Sequence, residues 1–303
     1  MRIRVFTKFD PEIKNLWLDL ETRAEPYIFQ RYRWLFHWNE SIGKKFPHTK
    51  PILIFLEDSE GPQVLFPLGL QKLNQIKILR FLGGNESDYH CPIYTLKGKA
   101  ILQQPGLLES TLSKLPEYDV LHFQKIPEEI VNQSLSHLKK DKIYLSNNSY
   151  SAELPSCWGD FQKRLSSKIK ADSRRQNKRL LEKGELRFEL IEQGDEKRSC
   201  VLNTFFDQKR KRYQQSGAYD ILSSTDVKNF YAEIPSELGK DVRTQLSALF
   251  LDNYILAIHW GVYDKSCFYY LMPTFNDEWS SFSPGRLLLE HLIKWAINQK
   301  ENF

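Results

Sequence analysis

Tyr269-Tyr270-Leu271-Met272-Pro273, a polar loop, then Ser283-Pro284-Gly285-Arg286-Leu287-Leu288-Leu289-Glu290-His291-Leu292-Ile293 is the stretch that decides the fold of this 303-residue chain. The first segment is aromatic and branched without helical spacing, which predicts a strand. In the second, Leu288, Leu292 and Trp295 recur at i, i+4 and i+7, which predicts a helix. Ser283 suits the N-cap, Pro284 the first helical turn, and Gly285 a close approach of ligand to backbone. A strand therefore feeds through Ser-Pro-Gly-Arg into a helix whose first amides are expected to be free. Free amides and the helix dipole attract anions, and Arg286 adds a positive charge beside them. An ordinary capped helix is the plainer reading of these four residues taken alone.

Length allows one large domain or two of ordinary size. Hydrophobic residues make up 41% and aromatics 13%, enough for a buried core. No apolar run is long enough to span a bilayer, and Met1-Arg2-Ile3-Arg4-Val5-Phe6 lacks the apolar stretch of a signal peptide. Cys91, Cys157, Cys200 and Cys267 are far apart and show no metal spacing; they read as free thiols of a cytoplasmic protein. The net charge of +5 permits anionic partners without naming one.

Along the chain, helices are expected from Asp10-Pro11-Glu12 onward, over the aromatic run Ile28 to Trp38, at Leu107 to Leu115 and at Glu128 to Leu138. Strands are expected at Pro51 to Glu57, Gln63 to Leu70, Ile76 to Leu82, Tyr118 to Phe123 and within Lys142 to Leu154. Helices interleaved with strands indicate a mixed α/β fold. Leu82-Gly83-Gly84-Asn85-Glu86-Ser87-Asp88-Tyr89-His90 is a glycine-paired polar loop without the Lys-Ser/Thr of a phosphate loop. Pro155-Ser156 is the best boundary, giving domains 1–155 and 156–303. Phe161, Leu165 and Ile169 then mark one strongly basic amphipathic helix from Asp160 to Lys183, ending at Gly184. It offers a groove for an anionic chain, or simply a solvated face. Leu186 to Ile191 is a strand, Glu196 to Gln215 a helix, and Val227 to Leu238 a helix interrupted by Pro235. Val242 to Phe250, Tyr254 to Val262 and Ser266 to Met272 form an antiparallel meander with turns at Asp252-Asn253 and Asp264-Lys265.

Three features together carry a family resemblance. They are Gln245 to Phe250 with Ala257-Ile258-His259-Trp260-Gly261; Phe268 to Leu271 with Ser283-Pro284-Gly285 and Leu287 to Leu289; and Phe205 to Arg212 followed by Gly217. The sequence resembles the GNAT-like acetyltransferases grouped as BioF2-like and CelD (cellulose biosynthesis) proteins, relatives of the Fem aminoacyl transferases. Trp17, the Phe29 to Trp38 run, Phe66-Pro67-Leu68 and Ser87-Asp88-Tyr89 extend it over nearly the whole chain. The resemblance implies tandem GNAT-like units, α/β (α+β) in class, with mixed sheets flanked by helices. It implies acyl-CoA as the usual donor, acetyl-CoA or another acyl-CoA. Its pyrophosphate would lie on the amides of Gly285, Arg286 and Leu287, within Ser283 to Leu287, and its pantetheine arm along Tyr269, Tyr270 and Leu271. Relatives continue past the last helix with a strand, a Gly-Asp-Glu and a Tyr-Lys. This sequence ends at Glu301-Asn302-Phe303, so a wall of the acyl splay is expected to be missing, with weak CoA binding, poor turnover and an exposed edge over Phe268 to Met272 prone to self-pairing.

Acyl transfer to an amine needs a neutral amine, a polarised thioester carbonyl and a protonated leaving thiolate. Asp207, Glu278, His259 and His291 are candidate bases. His259 ranks first, and the helical spacing of His291 suits packing. Tyr269 or Tyr270 could protonate the thiolate. Lys209 and Arg212, one helical turn apart, could hold an anionic acceptor or the CoA phosphates, or simply form an exposed basic face. No metal is implied. The leading reading is an N-acyltransferase for an amine of a sugar or envelope precursor. The alternatives are a Fem-like transferase using aminoacyl-tRNA, or a non-catalytic binding module.

Overall fold

Asp10 places the first helix by its side chain: the carboxylate accepts from the Ile13 amide at 3.0 Å, and Pro11 fills the first turn. In the computed structural model, which describes residues 1–45, 48–134, 148–239 and 241–299, the chain forms two units, Met1–Asn147 and Asn148–Phe303. The division falls slightly before Pro155.

The first unit runs β1 (Arg2–Phe6), α1 (Pro11–Arg23), α2 (Tyr32–Trp38), β2 (Thr49–Asp58), β3 (Gly61–Leu73), β4 (Ile76–Phe81), β5 (Ile93–Tyr94), α3 (Leu96–Leu102), α4 (Leu107–Leu112), β6 (Val120–Leu121) and α5 (Glu128–Ser134). The sheet order is β1-β2-β3-β4-β6, with β5 on β3; among the described residues only β4 and β6 run parallel. Ile52, Ile54, Leu56, Val64, Phe66 and Leu68 bury on it with Leu79 and Phe81. The aromatic run is packing: Trp17, Phe29 and Trp34 are fully buried. It is not one helix. Ile28–Gln30 is a 3-10 turn, Arg31 is extended, and α2 restarts where the Glu21 carboxylate accepts from the Tyr32 amide at 2.5 Å. The glycine-paired loop completes this packing. Ser87 Oγ accepts from Trp34 Nε1 and the Glu86 carboxylate from Trp38 Nε1, each at 3.0 Å.

The second unit runs α6 (Trp158–Arg164), α7 (Ser167–Leu181), β7 (Leu186–Ile191), α8 (Arg198–Ser216), α9 (Thr225–Glu233), β8 (Glu237–Gly239), β9 (Val242–Leu251), β10 (Tyr254–Tyr263), β11 (Phe268–Phe275) and α10 (Pro284–Gln299). Its antiparallel sheet has the order β11-β10-β9-β7, with β8 on β9. Leu287, Leu288 and Leu292 of α10 pack on Leu249, Leu251 and Ala257. Trp260 points to the opposite face, edge-on to Tyr231 of α9.

Several expectations change here. The single basic helix from Asp160 to Lys183 is two helices. Leu165 is extended, and Ser166 restarts the helix by accepting from the Ile169 amide at 3.3 Å. The inner face of α7 carries Ser173, Gln176 and Leu180, whereas Ile169 is exposed. The helix expected to reach Leu238 stops at Glu233, and Glu237–Gly239 pairs with β9 instead. Residues 148–154 form no strand, residues 142–147 lie outside the described residues, and so does the end of the helix expected to reach Leu138.

Candidate functional site

The Asn276 amide donates to the Leu256 carbonyl at 2.8 Å, which sets the phase of the β10–β11 ladder. With Ile258 opposite Thr274 and Trp260 opposite Met272, those pairs exchange backbone bonds. Pro273 and Phe275 then turn their backbone groups away from β10. Among the described residues no strand pairs with that side of β11. Pro273 has no N–H to offer there, and its carbonyl already accepts from Lys209 Nζ at 3.0 Å. The edge is therefore blunted at Pro273, a position beyond the Phe268 to Met272 segment read as open.

Lys209 is placed by α8, which packs across β10 and β11. Burial, and then the nearby Arg212, lower the pKa of Lys209 to about 8. Arg212 lies over the Phe275 ring, 4.7 Å from its centre. The same ring meets Gly285: a Cβ on Gly285 would stand 3.2 Å from Phe275 Cδ1. Phe275 thus gathers Arg212 and the start of α10.

Upstream, Trp260 pairs with Met272 and Val262 with Tyr269, so Gly261 faces both Tyr270 and Leu271 across a β-bulge. The bulge and His259 need glycine here. A Cβ on Gly261 would lie 2.3 Å from His259 Cε1 and 2.6 Å from the Tyr269 carbonyl oxygen. His259 is fully buried, stacked on Tyr270 at 4.6 Å and 4°, beside Phe268 at 5.3 Å. Burial, then the Lys209 charge, push its pKa down to about 3, and neither ring nitrogen has a hydrogen-bond partner among the described residues. A general base must reach the proton it removes, and an imidazole sealed beneath Tyr270 reaches none at the surface. Burial raises the Tyr270 phenol to about 12, which leaves it protonated at neutral pH. Tyr269 and Leu271 are half-buried. His291 stacks on Phe188 at 5.2 Å and 10°.

The turn into α10 differs from the expected three free amides. Ser283 adopts a left-handed conformation (φ 52°), and its carbonyl accepts from the amides of both Arg286 (3.1 Å) and Leu287 (3.2 Å). Pro284 has no N–H, so Gly285 supplies the free amide. The Arg286 guanidinium turns to α7, 2.5 Å from Asp172 and 3.9 Å from Glu290, rather than to the helix end. Asp172 is held below the usual carboxylate range by Arg286 first. Sequence reasoning missed Phe275 as the meeting point of α8, β11 and α10. It also missed Asp172, whose partner lies over a hundred residues away. The residues that fit a bound pyrophosphate are therefore Gly285 by its amide and Arg212 by its charge, both against Phe275. Among the described residues no group of His, Cys, Asp and Glu could hold a metal, and no helix is long and apolar enough to cross a membrane. The four cysteines are free.

No curated protein matches the chain. Over nearly its whole length it is similar to several solved structures. One is FemX, at 13% identity and a TM-score of 0.62, covering 98% of this chain and 86% of that one. Another is a conserved protein of unknown function from Bacteroides thetaiotaomicron VPI-5482, at 12% identity and a TM-score of 0.54, covering 99% and 88%. At these identities the likeness is one of fold. Residues 167–301, from α7 onward, match the family model described as acetyltransferase (GNAT) domain; the fold is the mixed α/β fold of GNAT-like acyltransferases, and the match supports acyl transfer in general.

Proposed function

We propose that the protein is an acyl-CoA-dependent N-acyltransferase of the BioF2-like/CelD kind, acting on an amine of a sugar or envelope precursor. One observation carries this reading: Arg212 and Gly285 converge on Phe275, where the outward edge of β11 runs into α10. Acyl-CoA would supply a thioester carbonyl and a thiolate leaving group. Gly285 N–H and Arg212 would hold its pyrophosphate. The outward backbone of β11 at Phe275 offers hydrogen bonds to an extended arm. Tyr269 and the protonated Tyr270 are the candidate proton donors to the departing thiolate. Lys209 holds a positive charge at Pro273, along the same edge. His259 is assigned to packing beneath Tyr270, in place of the base role expected from sequence. The first unit is proposed as a second GNAT-like unit.

The second reading is transfer of an aminoacyl group from tRNA, favoured by the exposed cations of α6 and α7. Calorimetric titration with CoA and RNA separates the two. The expected result is CoA binding in the parent and its loss, by at least tenfold, in Gly285→Val, with the melting temperature retained because a Cβ meets only the edge of one ring. Unchanged CoA affinity in the folded variant would remove the pyrophosphate site. RNA binding with a steep salt dependence and an amino acid added to product would favour the second reading.

A further inference from the structure

The elbow between α6 and α7 and the adjoining face of α10 line an open cavity of about 220 Å³. Leu165 breaks the chain between α6 and α7, and Trp158 of α6 shares the wall of this cavity with Leu287, Glu290, His291 and Lys294 of α10. Three cations line it, Lys170 and Arg174 from α7 and Lys294 from α10, together with the Glu290 carboxylate of α10. The carboxylates in and beside the wall each have a partner. Asp160 holds Lys163, Asp172 holds Arg175 and Arg286, and Glu290 holds the Ser173 hydroxyl and Arg286. Among the described residues none of the three lining cations pairs with an acid. Two flat rings share the wall, each with one face already covered: Trp158 by Phe161 at 5.4 Å and His291 by Phe188 at 5.2 Å. Burial, then Lys294, lower the pKa of His291, so near neutral pH the ring adds a surface and no charge.

Cations that pair with no acid, beside a ring, are the chemistry that recognises a phosphate attached to a base. The volume falls below the roughly 300–1,000 Å³ of a pocket that swallows a whole ligand, so it suits one phosphate and part of one ring. The cavity runs along the α7-facing side of α10 from Leu287 to Lys294, so its near end is two residues from Gly285, while His291 at its far part packs on Phe188 of β7.

We propose that this cavity is a second ligand site, for the phosphate and base of a nucleoside monophosphate, with Arg174, Lys170 and Lys294 holding the phosphate and Trp158 stacking the base. The proposal does not rest on the acyl-CoA reading. It is tested by titrating the full chain with AMP and with inorganic phosphate at low ionic strength. AMP is expected to bind about tenfold more tightly than phosphate, the order of one stacked base. Arg174→Ala is expected to weaken both about tenfold. Trp158→Ala should bring AMP down to the phosphate level and leave phosphate unchanged. Arg174 is exposed and Trp158 partly so, and neither substitution leaves a buried group unpaired. Equal affinity for AMP and phosphate, or full AMP affinity in Arg174→Ala, overturns the site. AMP binding lost in Gly285→Val and kept in Arg174→Ala also overturns it, because the nucleotide would then lie at the start of α10.

Discussion

Lowering the pH from 7 to 5 is expected to cost the second unit about 2 kcal/mol of stability through His259 alone. Folded, this imidazole is neutral, with its pKa pushed down to about 3 by burial and by Lys209. Unfolded, it titrates near its ordinary value of about 6.5. Between those values the unfolded chain binds a proton that the folded one refuses. Stability therefore rises with pH, is complete above about 6.5, and is lost as the pH falls through the window toward 3. Each pH unit well inside the window is worth about 1.4 kcal/mol. His259→Phe keeps the ring stack on Tyr270 and removes the proton site, so its pH dependence should be flatter by this amount. Urea titrations of parent and variant at pH 7 and pH 5 make the comparison, and equal pH dependence in the two would remove the argument. His90 in the first unit repeats the design. Burial, then Lys125, push it down to about 3. There Glu21 and Glu86, raised by burial, act in the opposite direction on acidification, so the second unit gives the cleaner measurement.

Much of the second unit was legible because its signals are local. The meander follows from alternating residues and polar turns, and its turn residue Asp252 does adopt a left-handed φ of 50°. The turn into α10 was legible from Pro284 and the leucine spacing. Tertiary partners were not. Nothing in the spacing of Arg286 tells that Asp172, on another helix, takes its charge. The break at Leu165 depends on Ser166, whose hydroxyl competes for the Ile169 amide against a stripe that fits one continuous helix. His259 illustrates the same limit. Strand alternation gave it a face of the sheet, but only the packing of Tyr270 and Phe268 shows that this face is sealed. Phe275 fell outside the motif because a phenylalanine at a strand end looks like core, and its role comes from Arg212 on one side and Gly285 on the other.

Gly261→Ala is expected to destabilise the second unit by about 3 kcal/mol, the upper end of overpacking costs. Two overlaps produce this, and they differ in kind. The new methyl would meet His259 Cε1 at 2.3 Å and Nε2 at 2.8 Å, a side chain held by its stack on Tyr270. It would also meet the Tyr269 carbonyl oxygen at 2.6 Å, which is backbone of the bulge and cannot rotate away. Gly285→Ala is the matched control, since its nearest neighbour is a single ring atom at 3.2 Å, and its melting temperature should stay close to the parent's. The contributions separate in a double-mutant cycle with His259→Ala. Truncating the imidazole removes the first overlap and leaves the second, so the double variant should be more stable than the sum of the two single losses predicts, yet below His259→Ala alone. If Gly261→Ala melts with the parent, the bulge yields freely, and the stack of His259 on Tyr270 is not what fixes the strand at Gly261.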